Sequence, residues 1–122
     1  MNLSDIKTLE LGIVGTSFSA KTTTGTVTGF AIVPSALGHG PLLITHSVEY
    51  PGTPPTTFTA DLEGCIDDPT VEANWYKIGT GITQASTVLA ETVTSKGVRF
   101  VRQKVSAIAT PNGGVSGKIA LG

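Results

Sequence analysis

The sequence has few of the features that mark disulfide-stabilised, membrane-spanning or nucleic-acid-binding proteins. A single cysteine, Cys65, cannot form an internal disulfide, so the fold has to be stable without covalent cross-links. The longest apolar runs, such as the one that begins at Phe30, fall far short of the roughly 20 residues that span a bilayer. Basic residues are scattered and the net charge is −1, which excludes a basic stripe for a phosphate backbone. We therefore expect neither nucleic acid nor membrane among the partners.

The N-terminal residues lack the features of an export signal. The segment from Met1 to Gly15 has neither a basic leader nor a long apolar stretch. We therefore expect synthesis in the cytoplasm without a cleaved signal peptide.

The plentiful residues are those of short strands and turns. The chain has 15 glycines and 7 prolines, many threonines and valines, and only 14% charged residues. This balance disfavours helices and favours many strands joined by turns. With 122 residues the chain fits one domain with a modest core.

Alternation of apolar and polar residues predicts strands with one buried face. From Leu42 to Tyr50 every second side chain, His46 included, is expected to face a core, and the stretch from Phe58 to Ile66 alternates in the same way. Sheets with one solvated face are typically antiparallel. We predict an all-β fold, an antiparallel β-sandwich or jelly-roll-like barrel of about six to eight short strands.

Two further patterns concern the C-terminal third of the chain. The apolar positions change phase after Phe100, which predicts a bulge or twist. Asn112-Gly113 is typical of a type I′ hairpin. We therefore expect the closing strand, from Val115 to Leu121, to pair with the strand before it.

The N-terminal third differs from the rest in composition. Residues 16–29 are mostly small and hydroxylated, so they offer little apolar surface to a core. We expect residues 1–40 to form an extended N-terminal arm and the first strand or strands. Residues 41–122 would then form the β-sandwich body of a single domain.

The acidic residues do not form a recognised catalytic or metal-binding pattern. Asp67 and Asp68 are adjacent and precede a proline, which is typical of a turn. Together with Asp61 and Glu63 they could offer oxygen ligands to calcium, but the spacing of a calcium loop is missing. We expect no metal and no other cofactor.

The histidines and the cysteine also lack a local signature. His39 and His46 are seven residues apart, and no second cysteine completes a zinc set. A nucleophilic pair of Cys65 and His46 would have to form in space, since such groups are spatial rather than sequential. We expect no enzymatic activity.

Trp75 and Tyr76 are the candidate binding residues. Adjacent residues on a strand point to opposite faces, so these two rings cannot share one face. Either ring could form a stacking surface for a sugar, and Trp75 could instead fill part of the core.

Four motifs follow one another in the last two thirds of the chain. They read roughly F-x-V-x-L-x-G-S, N-W-x-x-L/I-G, V-R-Y-V-R-x-x-V and a closing apolar strand. Here they occupy Phe58 to Cys65, Asn74 to Gly79, Val98 to Val105 and Val115 to Leu121.

This order resembles a small β-sandwich module common among virion proteins of tailed bacteriophages. The best markers are Trp75 and the arginine pair Arg99 and Arg102. Two features depart from the pattern: Cys65 stands where serine is usual, and the loop from Asp67 to Ala73 is longer than the usual turn.

The resemblance implies a non-enzymatic virion structural protein, first of all a capsid decoration (cement) protein. Such a protein would bind the major capsid protein on the outer surface of the head and stabilise it, and the expected location is the virion. A homo-oligomer, with a trimer favoured, would engage several capsid copies at once. The alternatives are a carbohydrate-binding module that uses Trp75 or Tyr76, and a tail or baseplate component.

Overall fold

The computed structural model describes residues 5–33, 36, 41–95, 97–109 and 113–122. Strands and turns make up almost all of this part of the chain. The strands are β1 (Ile6–Leu9), β2 (Val14–Lys21), β3 (Gly25–Thr26), β4 (Gly29–Ile32), β5 (Leu42–Glu49), β6 (Thr57–Cys65), β7 (Trp75–Lys77), β8 (Ile82–Thr83), β9 (Ala90–Ser95), β10 (Phe100–Ala109) and β11 (Val115–Leu121). A short 3-10 helix, Glu72–Asn74, precedes β7. Among the described residues, no helix is long and apolar enough to cross a membrane.

The strands form two sheets that face each other. Sheet A has seven strands, in the order β1-β4-β10-β6-β7, with β3 paired to β10 and β8 paired to β6. Sheet B has four strands, in the order β2-β11-β5-β9. The β1–β4 pair is parallel and the other strand pairs are antiparallel. The prediction of an all-β, antiparallel sandwich is confirmed; the strands outnumber the expected six to eight because several contain only two to four residues.

The core lies between the sheets, on the faces that alternation predicted. On β5 every second residue is buried, from Leu42 through His46 to Val48, as expected. On β6 the residues from Phe58 to Gly64 alternate in the same way, but the expected alternation up to Ile66 is wrong, because Cys65 is buried and Ile66 is 53% exposed.

The buried apolar residues fall into two clusters. The first cluster contains Leu9, Phe30, Ile32, Ala36, Leu42, Ile44, Leu62, Val98, Val101, Ile119 and Leu121. The second contains Phe18, Val48, Phe58, Ala60, Ile82, Val105 and Val115.

A layer without apolar side chains separates the two clusters. On β5, β10 and β11 the inward position between the clusters is taken by His46, Gln103 and Gly117, respectively. We call His46 and Gln103 the polar layer. The phase change predicted after Phe100 is present, because Val98 is buried, Phe100 is only partly buried, and Val101, Gln103 and Val105 are buried in the other phase. The actual register shift on β10 lies between Val105 and Ala107, which places the bulge at Ser106.

The expected pairing of the closing strand is wrong. β11 pairs with β2 and β5 in sheet B, whereas β10 pairs with β6, β4 and β3 in sheet A. Gly113 and Gly114 have φ values of 96° and 89°, which glycine adopts without strain. The glycines do reverse the chain, but the reversal leads across the sandwich instead of into a hairpin. Asn112, the other residue of the predicted turn, lies outside the described residues.

The described part of the first forty residues belongs to the sandwich. β1 and β4 pair with each other in sheet A, and β2 pairs with β11 in sheet B. Phe18, Phe30 and Ile32 supply buried side chains to the core. A free arm is therefore absent between residues 5 and 33, because strand pairing and the buried rings of Phe18 and Phe30 hold this segment in the sandwich. Residues 1–4, 34–35 and 37–40 lie outside the described part.

Candidate functional site

Trp75, the first residue of β7, lies beneath the loop that precedes it. Its side chain is 8% exposed, and its Nε1 donates a hydrogen bond to the carbonyl oxygen of Pro69 at 2.9 Å. The guanidinium carbon of Arg102 lies 4.2 Å from the centroid of the indole ring, a cation–π contact. This contact occupies one face of the ring, so that face offers no surface on which a sugar could stack.

Arg102 has the largest side chain among the fully buried residues of the described part. Its Nε donates to Glu63 Oε1 at 2.8 Å, and Glu63 is its neighbour across β10 and β6. Its Nη1 and Nη2 donate to the two carboxylate oxygens of Glu72, at 3.1 and 2.5 Å. Such forked pairing suits the planar guanidinium. We refer to Arg102, Trp75, Glu63 and Glu72 as the arginine cluster.

The arginine cluster fastens the loop between β6 and β7 onto the outer face of sheet A. Glu72 lies in the 3-10 helix of that loop, while Arg102 and Glu63 lie on central strands of the sheet. The hydrogen bonds from Arg102 lower the pKa of the Glu72 carboxyl. Both carboxylates of the cluster are therefore used in holding the loop.

Asp68 has the turn-forming role that the sequence predicted. Its Oδ1 accepts hydrogen bonds from the backbone N–H of Thr70 at 2.9 Å and from the Thr70 hydroxyl at 2.6 Å, which lowers its pKa. Its carbonyl oxygen accepts a bond from Asn74 Nδ2 at 2.9 Å. The loop is thus ordered by its own side chains.

The other acidic residues considered for calcium serve different contacts. Asp61 Oδ1 lies 3.3 Å from the Lys77 ammonium, and Glu63 is bonded to Arg102. Across the residues that the structure describes, no group of three or more histidine, cysteine or acidic side chains is placed to hold a metal ion.

Tyr76 lies apart from Trp75, as expected for adjacent strand residues. Its side chain is 43% exposed, whereas Trp75 is covered. Of the two candidate binding residues, Tyr76 is therefore the one with an accessible ring. Stacking of a sugar on Tyr76 stays a prediction.

Cys65 and His46 do not meet. The Cys65 thiol is buried and donates to the carbonyl oxygen of Asp67 at 3.2 Å, and burial raises its pKa. The ring nitrogens of His46 are bonded elsewhere, to Glu91 and Gln103. His39, the other histidine considered, lies outside the described residues.

The polar layer joins the two sheets through the core. Gln103 Nε2 on β10 lies 3.1 Å from His46 Nδ1 on β5 and 3.2 Å from the carbonyl oxygen of Ser47. Both side chains are fully buried. Burial lowers the pKa of His46, and this effect outweighs the attraction of nearby carboxylates.

Glu91 on β9 extends this network to the edge of the sandwich. Its Oε1 lies 2.8 Å from His46 Nε2, and its Oε2 accepts from the backbone N–H and the hydroxyl of Thr80 at 2.7 and 2.6 Å. The N–H of Gly81 lies 3.2 Å from Oε1. Burial alone would raise the pKa of Glu91, but the bonds from Thr80, His46 and Gly81 lower it to about 2. Glu91 thereby ties the last strand of sheet B to the loop that follows β7 in sheet A.

Comparison of the chain with protein-family models, curated proteins and solved structures finds no match in any of the three. The geometry therefore has to carry the chemical interpretation. A histidine bonded to a carboxylate is an arrangement that catalysis often uses. Here, however, both ring nitrogens of His46 are engaged and the ring is fully buried. In the closed sandwich this pair holds β5 and β9 together, and the imidazole meets no solvent although the Glu91 side chain is 15% exposed.

The outer face of sheet B carries an open cavity of about 240 Å³ with a mixed polar and apolar lining. Its lining residues are Ser47, Val48, Glu49, Ser116 and Lys118. The walls offer hydroxyls and one charge of each sign but no aromatic ring, so this cavity does not supply the stacking surface expected of a carbohydrate-binding module.

One end of sheet B is unusually apolar at the surface. Leu11, Ile13, Val14 and Leu43 are each between 42% and 60% exposed. They lie close to the end of β11, because Leu11 bridges to Leu121, Val14 pairs with Ala120, and the N–H of Gly122 donates to the carbonyl oxygen of Leu43. We call these four residues the apolar rim.

Proposed function

We propose that this chain is a non-enzymatic structural protein of a tailed-phage virion, one that decorates the capsid. In this role it binds the major capsid protein on the outer surface of the head and stabilises the shell. We further propose that it acts as a homo-oligomer, with a trimer favoured, because several simultaneous contacts convert weak binding into tight binding.

The contact between Trp75 and Arg102 is the observation that carries this proposal. These two residues are among the three best markers of the resemblance, with Arg99, and the Arg102 guanidinium carbon lies 4.2 Å from the centroid of the Trp75 ring. The four motif segments overlap β6, β7, β10 and β11, and the first three of these strands are neighbours in sheet A. Three of the four motif segments thus lie on neighbouring strands of one sheet, which supports the resemblance and the role that it implies.

The apolar rim is the surface that we assign to capsid binding. Exposed apolar residues gathered in one place often mark an interaction site. β2, which follows directly from Ile13, is one of the two outer strands of sheet B, and among the described residues its only partner strand is β11. A capsid segment could therefore pack on the rim and add to the open edge of β2 by backbone hydrogen bonds.

Mixing the purified protein with expanded capsids tests the proposal. After size-exclusion chromatography with light scattering to measure the oligomeric state, we expect the protein to sediment with the capsids. A Val14→Asp variant should sediment less, because it places a charge in the rim. Val88→Asp is the matched control, since Val88 is 69% exposed but precedes β9 at the opposite end of sheet B from Leu43.

Two results would count against the capsid role. Wild-type protein that stays in the supernatant with capsids but sediments with purified tails would assign it to the tail or baseplate. Equal sedimentation of the Val14 and Val88 variants would remove the rim from the contact surface.

A further inference from the structure

The hydrogen bonds of the polar layer fix the protonation state of His46. Gln103 Nε2 lies 3.2 Å from the carbonyl oxygen of Ser47, which can only accept, so the amide nitrogen has to face it. The second hydrogen of that nitrogen is donated to His46 Nδ1 at 3.1 Å. His46 Nε2 donates to Glu91 Oε1 at 2.8 Å. The imidazole is therefore neutral, with its hydrogen on Nε2.

A second proton on His46 does not fit this arrangement. A hydrogen on Nδ1 would point at the N–H of Gln103. A 180° flip of the Gln103 side-chain amide would place Oε1 against the carbonyl oxygen of Ser47. The same rotation would move the NH₂ group of Gln103 to the place of Oε1. In the present orientation Oε1 has no hydrogen-bond partner among the described residues. Buried donors and acceptors without partners are costly, so both orientations of Gln103 disfavour the imidazolium.

Gly117 lies next to the place that the NH₂ group of a flipped Gln103 amide would occupy. A Cβ added to Gly117 would lie 2.6 Å from Gln103 Oε1 and would also overlap the ring of Phe18. An NH₂ group in the place of Oε1 would therefore face the Gly117 backbone and an aromatic ring.

The charged groups around His46 favour proton uptake, yet burial outweighs them. Glu91 faces the imidazole from β9, and Asp61 acts on it from β6, where it is paired with Lys77. Gln103 on β10 and Ile119 on β11, which is paired with His46, carry no charge. Burial lowers the pKa of His46 from its ordinary value of 6.5. Solvation of the ring in an opened state would restore a pKa near that value.

We propose that His46, Gln103 and Glu91 form a proton-sensitive latch between the two sheets. Neutral His46 keeps the latch closed, and proton uptake by the imidazole favours a locally opened state in which the sheets separate around the polar layer. Above pH 6.5 the latch does not respond to pH. Below pH 6.5 the opened state binds the proton more tightly than the closed state, so the population of the opened state rises.

The wild-type protein provides the first test. Nitrogen chemical shifts of the imidazole report which nitrogen carries hydrogen, and we expect a neutral ring with hydrogen on Nε2 in the closed state from pH 7.5 to 5.5. Native-state hydrogen exchange, corrected for the pH dependence of the chemical step, reports opening. Amides of β5, β9 and β10 that exchange through this opening should do so about fivefold faster at pH 5.5 than at pH 6.5.

Three variants separate the latch from general acid sensitivity. His46→Gln removes the titrating group, so the extra exchange at pH 5.5 should disappear. Gln103→Glu offers Nδ1–H an acceptor, so it should reduce or abolish the extra exchange. His39→Gln is the matched control, because it removes the only other histidine of the chain and should leave the effect intact.

The imidazole nitrogen shifts of the wild-type protein test the latch even if a core variant fails to fold. An imidazole that takes up its second proton near pH 6.5 while the β5 and β10 amides stay protected would overturn the latch. So would a neutral ring with its hydrogen on Nδ1, or loss of the effect in His39→Gln.

Discussion

Replacement of Glu91 by glutamine should remove a large part of the acid sensitivity of the fold. The pKa of Glu91 is lowered from 4.5 to about 2 in the native protein. A difference of this size corresponds to about 3 kcal/mol of stability, at about 1.4 kcal/mol per pKa unit. Because the native pKa is the lower one, this stability is complete above pH 4.5. It is lost progressively as the pH falls from 4.5 towards 2.

The assay is urea unfolding at pH 7, 4.5, 3 and 2, with the free energy of unfolding extrapolated to zero denaturant. At pH 7 the Glu91→Gln variant should be less stable than the wild type by about 3 kcal/mol, since an amide cannot accept all the bonds from Thr80, Gly81 and His46. The difference should shrink towards pH 2, where the wild type loses the same contribution. Glu49→Gln is the control, because Glu49 is exposed and outside this network. Parallel stability curves for wild type and Glu91→Gln over the whole pH range would refute the reasoning.

Three further predictions concern the arginine cluster, the glycine between the two core clusters, and the accessible aromatic ring. Arg102→Leu should lower the free energy of unfolding by about 3 kcal/mol or more, because it leaves a buried carboxylate without its partner; chemical denaturation measures this. Gly117→Ala should lower it by about 1–3 kcal/mol, since the new methyl group would overlap the ring of Phe18. Tyr76→Ala should leave the fold intact and weaken binding on a glycan array, because the Tyr76 ring is exposed. Trp75→Ala should lower the melting temperature, because the Trp75 ring is covered.

Each of these predictions has a contrasting result. Glu72→Gln serves as the control for Arg102→Leu, because the Glu72 side chain is 63% exposed and its charge should contribute less than about 1 kcal/mol. Equal losses in the two variants would mean that the unpaired Glu63 carboxylate is not the source of the effect. An unchanged stability of Gly117→Ala would show that Phe18 can move aside. A normal melting temperature for Trp75→Ala would remove the indole ring from the packing of the loop.

The parts of the fold that follow from alternation could be predicted, because burial on one face leaves a direct mark on the sequence. β5 and β6 are the clearest cases, since almost every second residue is apolar and buried. The turn at Asp68 could be predicted for a similar reason, as its hydrogen bonds reach only two residues along the chain. Such signals are local and need no knowledge of the tertiary structure.

The pairing of β11 and the place of β2 depend on contacts between distant segments, which local patterns do not contain. The glycines at 113 and 114 indicate a reversal but not the strand to which it leads. In β2, the single large apolar residue Phe18 suggested a solvated segment, yet that ring is buried in the second core cluster.

The network of His46, Gln103 and Glu91 was missed for a different reason. The alternation on β5 places His46 inward but does not indicate what its ring bonds to, and no local pattern marks Gln103 as a core residue. A sequence signal exists for Glu91, since it lies two residues before Val93, which is partly buried against the core. Its partner Thr80, however, lies on a loop of the other sheet and becomes apparent only in three dimensions.

The central position of β11 has a consequence for synthesis on the ribosome. Sheet B places residues 115–121 between β2 and β5, which are made much earlier. Until those late residues emerge from the exit tunnel, the strand at 14–21 has no neighbour to pair with and the strand at 42–49 lacks one of its two. For most of its translation the nascent chain therefore exposes the unpaired edges of two strands, which can aggregate. Truncation before residue 115 would leave these edges unpaired permanently.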